Sequence, residues 1–554
     1  MIHIALEHNR GFAWTEQGGI WTKGFIYREG ECVTGQALCA YFRDVAGVAS
    51  FREKLAGCNG SFSVIISRDD VLLACDPVRI FPLFYVTDGK DIFISDSAEN
   101  LVKNAGSTEL NITGQTSQAT LDGEGLLPVG PQIHKSLLNE SAAGEFLATG
   151  YVTGKETLVR NLFQVQAGEI IDLSAAGAGG TFYATYQADK YSDEDYHGLA
   201  DRLERILEDV FSRLIKSVEG CTVVVPLSGG YDSRLIAAML KKLGYSKVIC
   251  YTYGRPGGAD IEPSKKAAGI LGWPWIYVEY NQELIKNYLT DPEFIRYYRY
   301  SANLVSMFFL QEYFAVRYLT ENKLVPDDSV FVPGHSGDFI AGSMFLKHHL
   351  PQGIHPGEEI AKKIFDVKYS LCRPSGNSRN IMLERISQSL QEKVMLPDAL
   401  AHTIYEDWDV KEKFAKFIVN SCNVYSWFGY EYRLPFWDRE FVEFFRKVPH
   451  SYKVNKRLYD EVLVNSIFNP LELSFEQEVQ PAAIVQKFEY IKSVIRRNLP
   501  FRTGRPMKND PLLYRELTQM MVDDLKGKGI DIRIHSRTYN SLIVQWYLKQ
   551  LFGN

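Results

Sequence analysis

The sequence is poor in cysteine and does not pair the cysteines it has. Eight occur among 554 residues, and no two of them form a C-x-x-C motif. This spacing argues against a zinc cluster and against a disulfide framework, since both need closely grouped thiols. We therefore predict buried free thiols at Cys32, Cys39, Cys58, Cys75, Cys221, Cys250, Cys372 and Cys422.

Long apolar runs and a strong excess of one charge are also absent. No run approaches the roughly 20 apolar residues that a membrane-spanning helix needs. The N-terminal stretch MIHIALEHNRGFAWTEQGG carries charges where a secretory signal is apolar. The formal charge of −6 gives no reason to expect nucleic acid or an acidic surface as partner. We expect a cytoplasmic protein that binds neither membrane nor nucleic acid.

The length indicates two domains, because one compact core rarely serves more than about 300 residues. Residues 1–190 contain SFSVIIS, VLLACD, LFYVTD and DIFISD, short apolar segments between turn residues that predict an antiparallel β-rich domain. The segment GEIIDLSAAGAGGTFYATY predicts a hairpin. From Ser192, which we expect to cap a helix, apolar residues fall at helical spacing, so the second domain is assigned to residues 191–554.

The second domain changes to alternating strands and helices. The segments TVVVPL, KVICYTYG, WIYVEY and SVFVPG predict strands with helices between them, which indicates an α/β fold with a doubly wound parallel sheet. From about Gly357 the pattern is mostly helical. A basic stretch near the end is interpreted as solvated surface rather than as a site for an anionic substrate; it contains Arg496, Arg497, Arg502, Arg505 and Lys508.

The turn LSGGYDS joins the first predicted strand of this sheet to a helix. Ligands of such sheets bind beyond the carboxyl ends of the strands. Gly229 and Gly230 allow close approach to an anion, and Ser228 and Ser233 add hydroxyl donors. A carboxylate beside a phosphate needs a cation between them, so Asp232 is interpreted as a Mg²⁺ ligand. The turn lacks the P-loop lysine and the dinucleotide-loop spacing, so it predicts another kind of nucleotide phosphate site.

The turn resembles the PP-loop, S-G-G-x-D-S, of enzymes that cleave ATP between the α and β phosphates. Three later segments resemble the asparagine synthetase family. The segment VPGHSGD, with Asp338, is similar to the G-x-G-S-D loop of that family. EYRLPFWD, from Glu431, is similar to its E-x-R-x-P-F-x-D segment. NKRLYDEVL, with Lys456, is similar to its K-x-x-L helix. The N-terminal CNGSFSVIISRDDVLLACDPVRIFPLFY resembles the family's N-G-x-F to D-x-x-G-x-x-P-L-Y core, with Val78 and Arg79 in place of the usual glycine.

The resemblance implies an Ntn-like antiparallel β-sandwich of the class II amidotransferase type for residues 1–190. For residues 191–554 it implies a PP-loop domain of the adenine nucleotide alpha hydrolase type, with a helical C-terminal region. It further implies ATP and Mg²⁺, with Asp232 and Asp338 as metal ligands and Lys456 offsetting phosphate charge. Contacts to ATP and pyrophosphate are expected at Leu227, Ser228, Gly229, Gly230, Asp232, Ser233, Thr252, Tyr253, Gly254 and Gly334.

Two positions depart from the family pattern. Residue 2 is Ile2, where the family's glutaminase has a catalytic N-terminal cysteine, and Cys32 lies too far along the chain to replace it. We therefore expect an amidotransferase domain without glutaminase activity. His335 stands where glutamine-dependent asparagine synthetases have Glu and β-lactam synthetases have Tyr. With Glu431 to orient it, His335 is predicted to be a general base; the alternative is a histidine that only bonds its own loop.

The resemblance predicts an enzyme that adenylates a small-molecule or peptide carboxylate and transfers the acyl group to ammonia or an amine. Loss of the glutaminase resembles β-lactam synthetases and lasso-peptide cyclases, whose amine belongs to the substrate. Asparagine formation from aspartate and ammonia is one alternative, and a non-catalytic ATP-binding scaffold is another. The segment RYSANLVSMFF is expected to contact substrate through Ser301 and Asn303. The resemblance leaves a homodimer open.

Overall fold

The computed structural model describes residues 1–87, 90–105, 132–174, 179–343, 357–390, 398–475, 510–530 and 538–553. The predicted basic stretch lies outside the described residues. The N-terminal strands are β1 (Ile2–Ala5), β2 (Thr15–Glu16), β3 (Ile20–Arg28), β4 (Glu31–Thr34), β5 (Gly60–Ser67), β6 (Val71–Cys75), β7 (Phe84–Thr87), β8 (Ile92–Ser95), β9 (Phe163–Gln164), β10 (Glu169–Asp172) and β11 (Gly179–Phe182). The helices of this part are α1 (Gly35–Tyr41), α2 (Val48–Gly57), α3 (Ala98–Ala105) and α4 (Glu140–Thr149).

These strands form two sheets. Seven strands lie in the first, in the order β11-β10-β6-β5-β3-β2 with β4 beside β3, and four in the second, in the order β1-β8-β7-β9. Strand β5 shows how side chains alternate: Val64 and Ile66 pack with α1 and α2, whereas Ile65 joins Tyr85 and Ile94 of the second sheet. Not every pairing is antiparallel, because β1 runs parallel to β8. The predicted hairpin is confirmed, since β10 pairs antiparallel with β11. The Ntn relationship stays a prediction.

Arg79 replaces the family glycine at a place where the backbone favours glycine. Its φ is +55°, in the left-handed region. The preceding Asp76 organises this turn, because its buried carboxylate accepts hydrogen bonds from the amides of Phe62, Val78 and Ile80 at 2.9–3.2 Å. Arg79 in turn donates through Nε to the carbonyl of Val165 (2.9 Å). The arginine therefore has contacts that offset a strained backbone.

The second part of the chain begins with α5 (Tyr196–Ser217). Its N-cap is Asp195, whose carboxylate accepts from the amide of Gly198 (2.8 Å), and not Ser192 as predicted. Ser192 instead accepts from the amide of Glu194 in the preceding turn. Both residue types cap helices well, and the aspartate adds favourable charge at the positive end of the helix.

A parallel sheet follows, as predicted. Its strands are β12 (Val223–Pro226), β13 (Val248–Gly254), β14 (Trp275–Glu279), β15 (Val330–Phe331) and β16 (Glu431–Tyr432), in the order β14-β13-β12-β15-β16. The helices between them are α6 (Tyr231–Lys242), α7 (Ile261–Leu271), α8 (Pro292–Ala302) and α9 (Tyr313–Glu321). The chain order reverses between β12 and β15. Sheets of this kind bind ligands at such a reversal, beyond the carboxyl ends of the strands.

The rest of the described chain is mostly helical, as predicted. The α-helices are α10 (Gly357–Lys368), α11 (Asn377–Ser389), α12 (Asp398–Asp409), α13 (Asn423–Trp427), α14 (Arg439–Lys447), α15 (His450–Lys453), α16 (Arg457–Val462), α17 (Tyr514–Gly527) and α18 (Tyr539–Phe552). Between α12 and α13 the chain forms a π-helix, Val410–Ile418, and a 3₁₀ turn, Val419–Cys422. No helix in the described ranges has the length and apolar content to cross a membrane.

The two parts of the chain share one hydrophobic core. A single cluster contains Phe12, Phe25 and Phe84 together with side chains of the parallel sheet such as Val224. Polar contacts also cross between the parts, since Asn59 donates to the carboxylate of Asp438 (2.9 Å). The division at residue 190 stays a prediction about the sequence.

Candidate active site at the end of the parallel sheet

A cavity of about 420 Å³ opens at the reversal between β12 and β15. Residues predicted to bind ATP, pyrophosphate or Mg²⁺, or to act in catalysis, line it: Leu227, Ser228, Gly230, Asp232, Ser233, Thr252, Tyr253, Gly334, His335, Asp338 and Lys456. Gly229 and Gly254 adjoin lining residues.

The predicted phosphate loop is held by its own serines. The amide of Ser228 donates to Ser233 Oγ (3.0 Å), and the amide of Gly230 donates to Ser228 Oγ (3.1 Å). Gly230 is the N-cap of α6, so the amides of the first helical turn face the cavity end of the sheet. Arg234, which the sequence reading missed, donates through Nη2 to the carbonyl of Gly229 (2.6 Å) and through Nη1 to that of Leu473 (3.0 Å). Hydrogen bonds within the chain therefore fix the shape of this loop.

Asp260 also contacts the loop. Its Oδ1 accepts a hydrogen bond from the amide of Gly229 (2.9 Å), and the residue is exposed and lines the cavity. A carboxylate thus holds an amide that the sequence assigned to a phosphate oxygen.

The two predicted metal ligands lie together. The amide of Asp338 donates to Asp232 Oδ2 (2.8 Å), and Tyr459 of α16 donates through its hydroxyl to Asp232 Oδ1 (3.0 Å). Burial, and after it the negative charge of Asp338, raises the pKa of Asp232 to about 7. Two neighbouring carboxylates of this kind fit a divalent cation between them. Within the described ranges no group of three acidic, His or Cys side chains surrounds a metal position.

Glycines let the second loop approach the first. A Cβ on Gly337 would lie 2.8 Å from Asp232 Cγ, and one on Gly334 would lie 2.6 Å from the amide nitrogen of Ser233. Both separations are shorter than van der Waals contact. Ser336, between them, has φ +79°, a strained conformation that often marks a functional loop. Gly337 was missed by the sequence reading, although it stands in the quoted loop.

Lys456 reaches the cavity from the start of α16. Its backbone is left-handed (φ +60°), its ammonium lies over the ring of Tyr231, and Nζ is 3.1 Å from Asp460 Oδ1. The side chain is one quarter exposed, so it can exchange this partner for a phosphate. Tyr459 follows Lys456 by one helical turn, and that spacing could have identified it from the sequence.

Glu431 does not lie at the cavity. Strand pairing places it opposite Val330 at the start of β15, whereas His335 follows the end of that strand. Its carboxylate forms an ion pair with Arg433 (2.9 Å). The predicted pairing of His335 with Glu431 is therefore corrected: a motif identifies residue types but does not give the strand register.

His335 lines the cavity and meets a hydroxyl instead. Its Nε2 lies 3.3 Å from Ser421 Oγ in the 3₁₀ turn Val419–Cys422. Burial lowers the pKa of the imidazole to about 4, so the ring is neutral at pH 7. Ser421 was missed by the sequence reading because nothing local connects it to His335.

Ser301 and Asn303 do not lie at the cavity either. Ser301 is fully buried at the end of α8. Asn303 bridges to the N-terminal part, since its Oδ1 accepts from the amide of Ala98 (2.7 Å) and its Nδ2 donates to the carbonyl of Asp96 (2.9 Å). The chain between α8 and β15 contributes Gln311 and Glu312 to the cavity wall instead.

The wall beside β13 combines strand ends with a C-terminal segment. The hydroxyl oxygen of Thr252 lies 2.6 Å from the carbonyl oxygen of Leu227. Pro511 and Leu512 complete this side of the cavity. The amide of Arg255 donates to the carbonyl of Pro511 (2.7 Å). Backbone groups and apolar side chains of this kind suit a planar base.

Glu312 is a buried acid in this wall. Both its oxygens accept from tyrosine hydroxyls, one from Tyr251 and the other from Tyr425 (3.0 Å). Burial raises the pKa of this carboxyl to about 7.

Comparison with known proteins finds a family match within the second part of the chain. Residues 203–414 match the family model described as asparagine synthase. Two curated relatives are each called tRNA-specific 2-thiouridylase MnmA. The protein of Ehrlichia canis (strain Jake) is 38% identical over 88 residues, and that of Anaplasma marginale (strain St. Maries) is 35% identical over 96 residues. These matches cover 13% and 15% of this chain, and each covers 24% of the relative's length.

A solved structure is also similar in part. The NH3-dependent NAD synthetase from Campylobacter jejuni is 13% identical, with 37% of this chain and 99% of that chain covered. Its TM-score of 0.20 is too low to support an argument about fold or function.

Proposed function

We propose that this chain, whose residues 203–414 form a domain of the asparagine synthase family, is an ATP-dependent carbon–nitrogen ligase that activates a carboxylate as its adenylate. The acyl group then passes to ammonia or an amine. The observation that carries the proposal is the meeting of Asp232 and Asp338 across the phosphate loop, in one cavity with Lys456.

These residues are the basis for our proposal of where the phosphates and the adenosine of ATP bind in the cavity. Ser228, Gly230 and Ser233 offer amide and hydroxyl donors to the β and γ phosphates. Asp232 and Asp338 would hold Mg²⁺, which neutralises phosphate charge when bound. Lys456 adds a positive charge near the leaving pyrophosphate, worth several kcal/mol in a dry site. The adenosine is proposed to lie beside Thr252, Tyr253 and Leu512.

The proposed reaction has two steps. A substrate carboxylate oxygen attacks the α-phosphorus of ATP, the bond to the β-phosphate oxygen breaks, and pyrophosphate leaves. An amine nitrogen then attacks the acyl carbon, and AMP leaves with the bonding electrons of the acyl C–O bond. The nitrogen must lose a proton, and His335 is the neutral base in the cavity wall.

The nitrogen is proposed to come from free ammonia or a substrate amine rather than from glutamine. Ile2 is exposed on β1 and has no nucleophilic group. Burial raises the pKa of Cys58, Cys75 and Cys250 to about 12, which makes these thiols poor nucleophiles. The N-terminal part is therefore proposed to serve structure and not glutamine hydrolysis.

The proposal is tested by AMP and pyrophosphate release from Mg-ATP with aspartate plus either ammonium or glutamine, with products identified by mass spectrometry. Asparagine from ammonium alone would give the chain an ammonia-dependent asparagine synthetase activity. No asparagine, from protein that binds Mg-ATP, would direct the search to substrates that carry their own amine. No binding of Mg-ATP would contradict the ligase. Binding without turnover of any carboxylate would favour the scaffold.

A further inference from the structure

The hydrogen-bond partner of His335 is the hydroxyl of Ser421, whereas the sequence predicted the carboxylate of Glu431. Ser421 Oγ lies 3.3 Å from Nε2, and no charged side chain of the described residues shifts the ring's protonation. A histidine base normally depends on the group that holds its second nitrogen, because this group decides which nitrogen carries the proton. The hydrogen bonding of Ser421 therefore determines what His335 can do.

The single proton of the Ser421 hydroxyl is already committed. Oγ donates to the carbonyl of Ile418 at 2.6 Å, a shorter contact than that to the imidazole. A serine hydroxyl has one proton to donate and two lone pairs that accept. Towards His335 the oxygen can therefore only accept, and the proton between them belongs to Nε2 of the ring.

A neutral imidazole has one N–H, so a proton on Nε2 leaves a lone pair on Nδ1. In the described residues Ser421 is the one hydrogen-bond partner of the ring, which leaves Nδ1 for a ligand in the cavity. We propose that Ser421 is a positioning residue that holds His335 as the Nε2–H tautomer and so presents Nδ1 as the proton acceptor for acyl transfer. The inference rests on the proposed function for the transfer step, but not for the tautomer.

The local backbone explains why Ser421 is fixed in this orientation. Its side chain is 1% exposed, and it follows the π-helix Val410–Ile418, where the helical ladder changes to a 3₁₀ turn. The Ile418 carbonyl lies at this change and accepts from Ser421 three residues later. Departures of this kind from α-helical geometry frequently occur at functional sites.

The proton balance is consistent with this assignment. As the amine nitrogen bonds to the acyl carbon and AMP leaves, Nδ1 takes one proton, and the ring becomes an imidazolium with Nε2–H still bonded to Ser421. A phosphate anion nearby favours this charged form and raises the imidazole pKa from its value in the free cavity. The ring returns its proton to AMP or water as the products leave.

The tautomer can be read without knowing the substrate. Full-length protein labelled with ¹⁵N-histidine is recorded in long-range ¹H–¹⁵N correlation spectra, and the His335 signals are assigned by their loss in His335→Asn. We expect one Nε2–H tautomer in the wild type, a mixture in Ser421→Ala, and the single tautomer again in Ser421→Thr. The matched control is Ser387→Ala, which removes a similar serine-to-carbonyl bond within α11.

The outcomes separate clearly. An Nδ1–H ring or an imidazolium in the wild type would overturn the inference, and so would an unchanged tautomer in Ser421→Ala. A mixture in Ser387→Ala would show a general loss of order and would also count against it. Thermal unfolding of each variant shows which ones are folded. Titration of the same samples with Mg-ATP tests the proposed function separately, because the tautomer does not depend on nucleotide binding.

Discussion

The amide of Asp338 donates a hydrogen bond to the carboxylate of Asp232 at 2.8 Å, although 106 residues separate them in the chain. The contact joins the loop after β12 to the loop after β15, on the two sides of the point where the strand order reverses. Both carboxylates therefore belong to one site, and changes in either loop affect the other.

Gly337→Ala is expected to weaken Mg-ATP binding by about 5- to 150-fold. The added methyl would lie 2.8 Å from Asp232 Cγ, so one of the two loops must move away, and overpacking of this kind costs about 1–3 kcal/mol. Isothermal titration measures the affinity. The control is Gly269→Ala in α7, where a Cβ meets nothing within 4 Å. Equal affinities of the two variants would contradict the proposed contact.

Asp338→Asn is expected to reduce Mg-ATP affinity by about 100-fold or more, because it removes a charged oxygen from the proposed metal site. Binding of ATP without Mg²⁺ should change much less or improve, since one negative charge beside the phosphates is lost. Titrations with and without Mg²⁺ give both numbers. A similar loss under both conditions would mean that Asp338 acts on the loop and not through a metal.

Asp260→Ala is expected to tighten binding of Mg-pyrophosphate, by about fivefold. The exposed carboxylate holds the amide of Gly229, so its removal frees a donor and lessens repulsion of the anion. Asp260→Asn should tighten binding less, because its side-chain oxygen can still hold that amide. Glu262→Gln, in the first turn of the same helix, serves as control. Weaker binding by both Asp260 variants would show that this residue helps to hold the ligand.

Glu312 should make the free energy of unfolding depend on pH. Its pKa is raised from 4.5 to about 7 in the folded chain, so the folded state binds the proton more tightly than the unfolded state. The stabilisation that Glu312 gives the folded state is complete below about pH 4.5 and falls as the pH rises towards 7. Above about pH 7 it changes little. The fall is at most about 3 kcal/mol, from 1.36 kcal/mol per pKa unit.

Glu312→Gln removes this titration and keeps an oxygen for one tyrosine. Urea unfolding of both proteins from pH 5 to pH 8 should give a smaller decline for the variant. Parallel curves would mean that Glu312 does not titrate in this range.

Four of the five strands of the parallel sheet were predictable because apolar runs and turn residues are local signals, whereas the short strand β16 was missed. The phosphate loop was predictable for the same reason, since Ser228, Gly230 and Asp232 lie within one turn. Glu431 was not, because its place depends on the register between β15 and β16. Ser421 reaches the site through folding of a distant segment, and a single sequence carries no signal for such a contact. Tyr459 could have been found, because it follows Lys456 by one helical turn.

The cap of α5 shows a smaller limit of the same kind. Ser192 and Asp195 are both good caps, and the sequence cannot choose between them.

Arg79 shows the opposite case. A left-handed turn was implied by the glycine of the family pattern, and the arginine keeps that turn because its side chain bonds the Val165 carbonyl.

The core that joins Phe12, Phe25 and Phe84 to the parallel sheet limits how such a chain can evolve. Removing the N-terminal part would expose apolar side chains of the parallel sheet that this shared core now buries. Substitutions at these packing residues are therefore restricted by both parts of the chain at once, whatever chemistry either part performs.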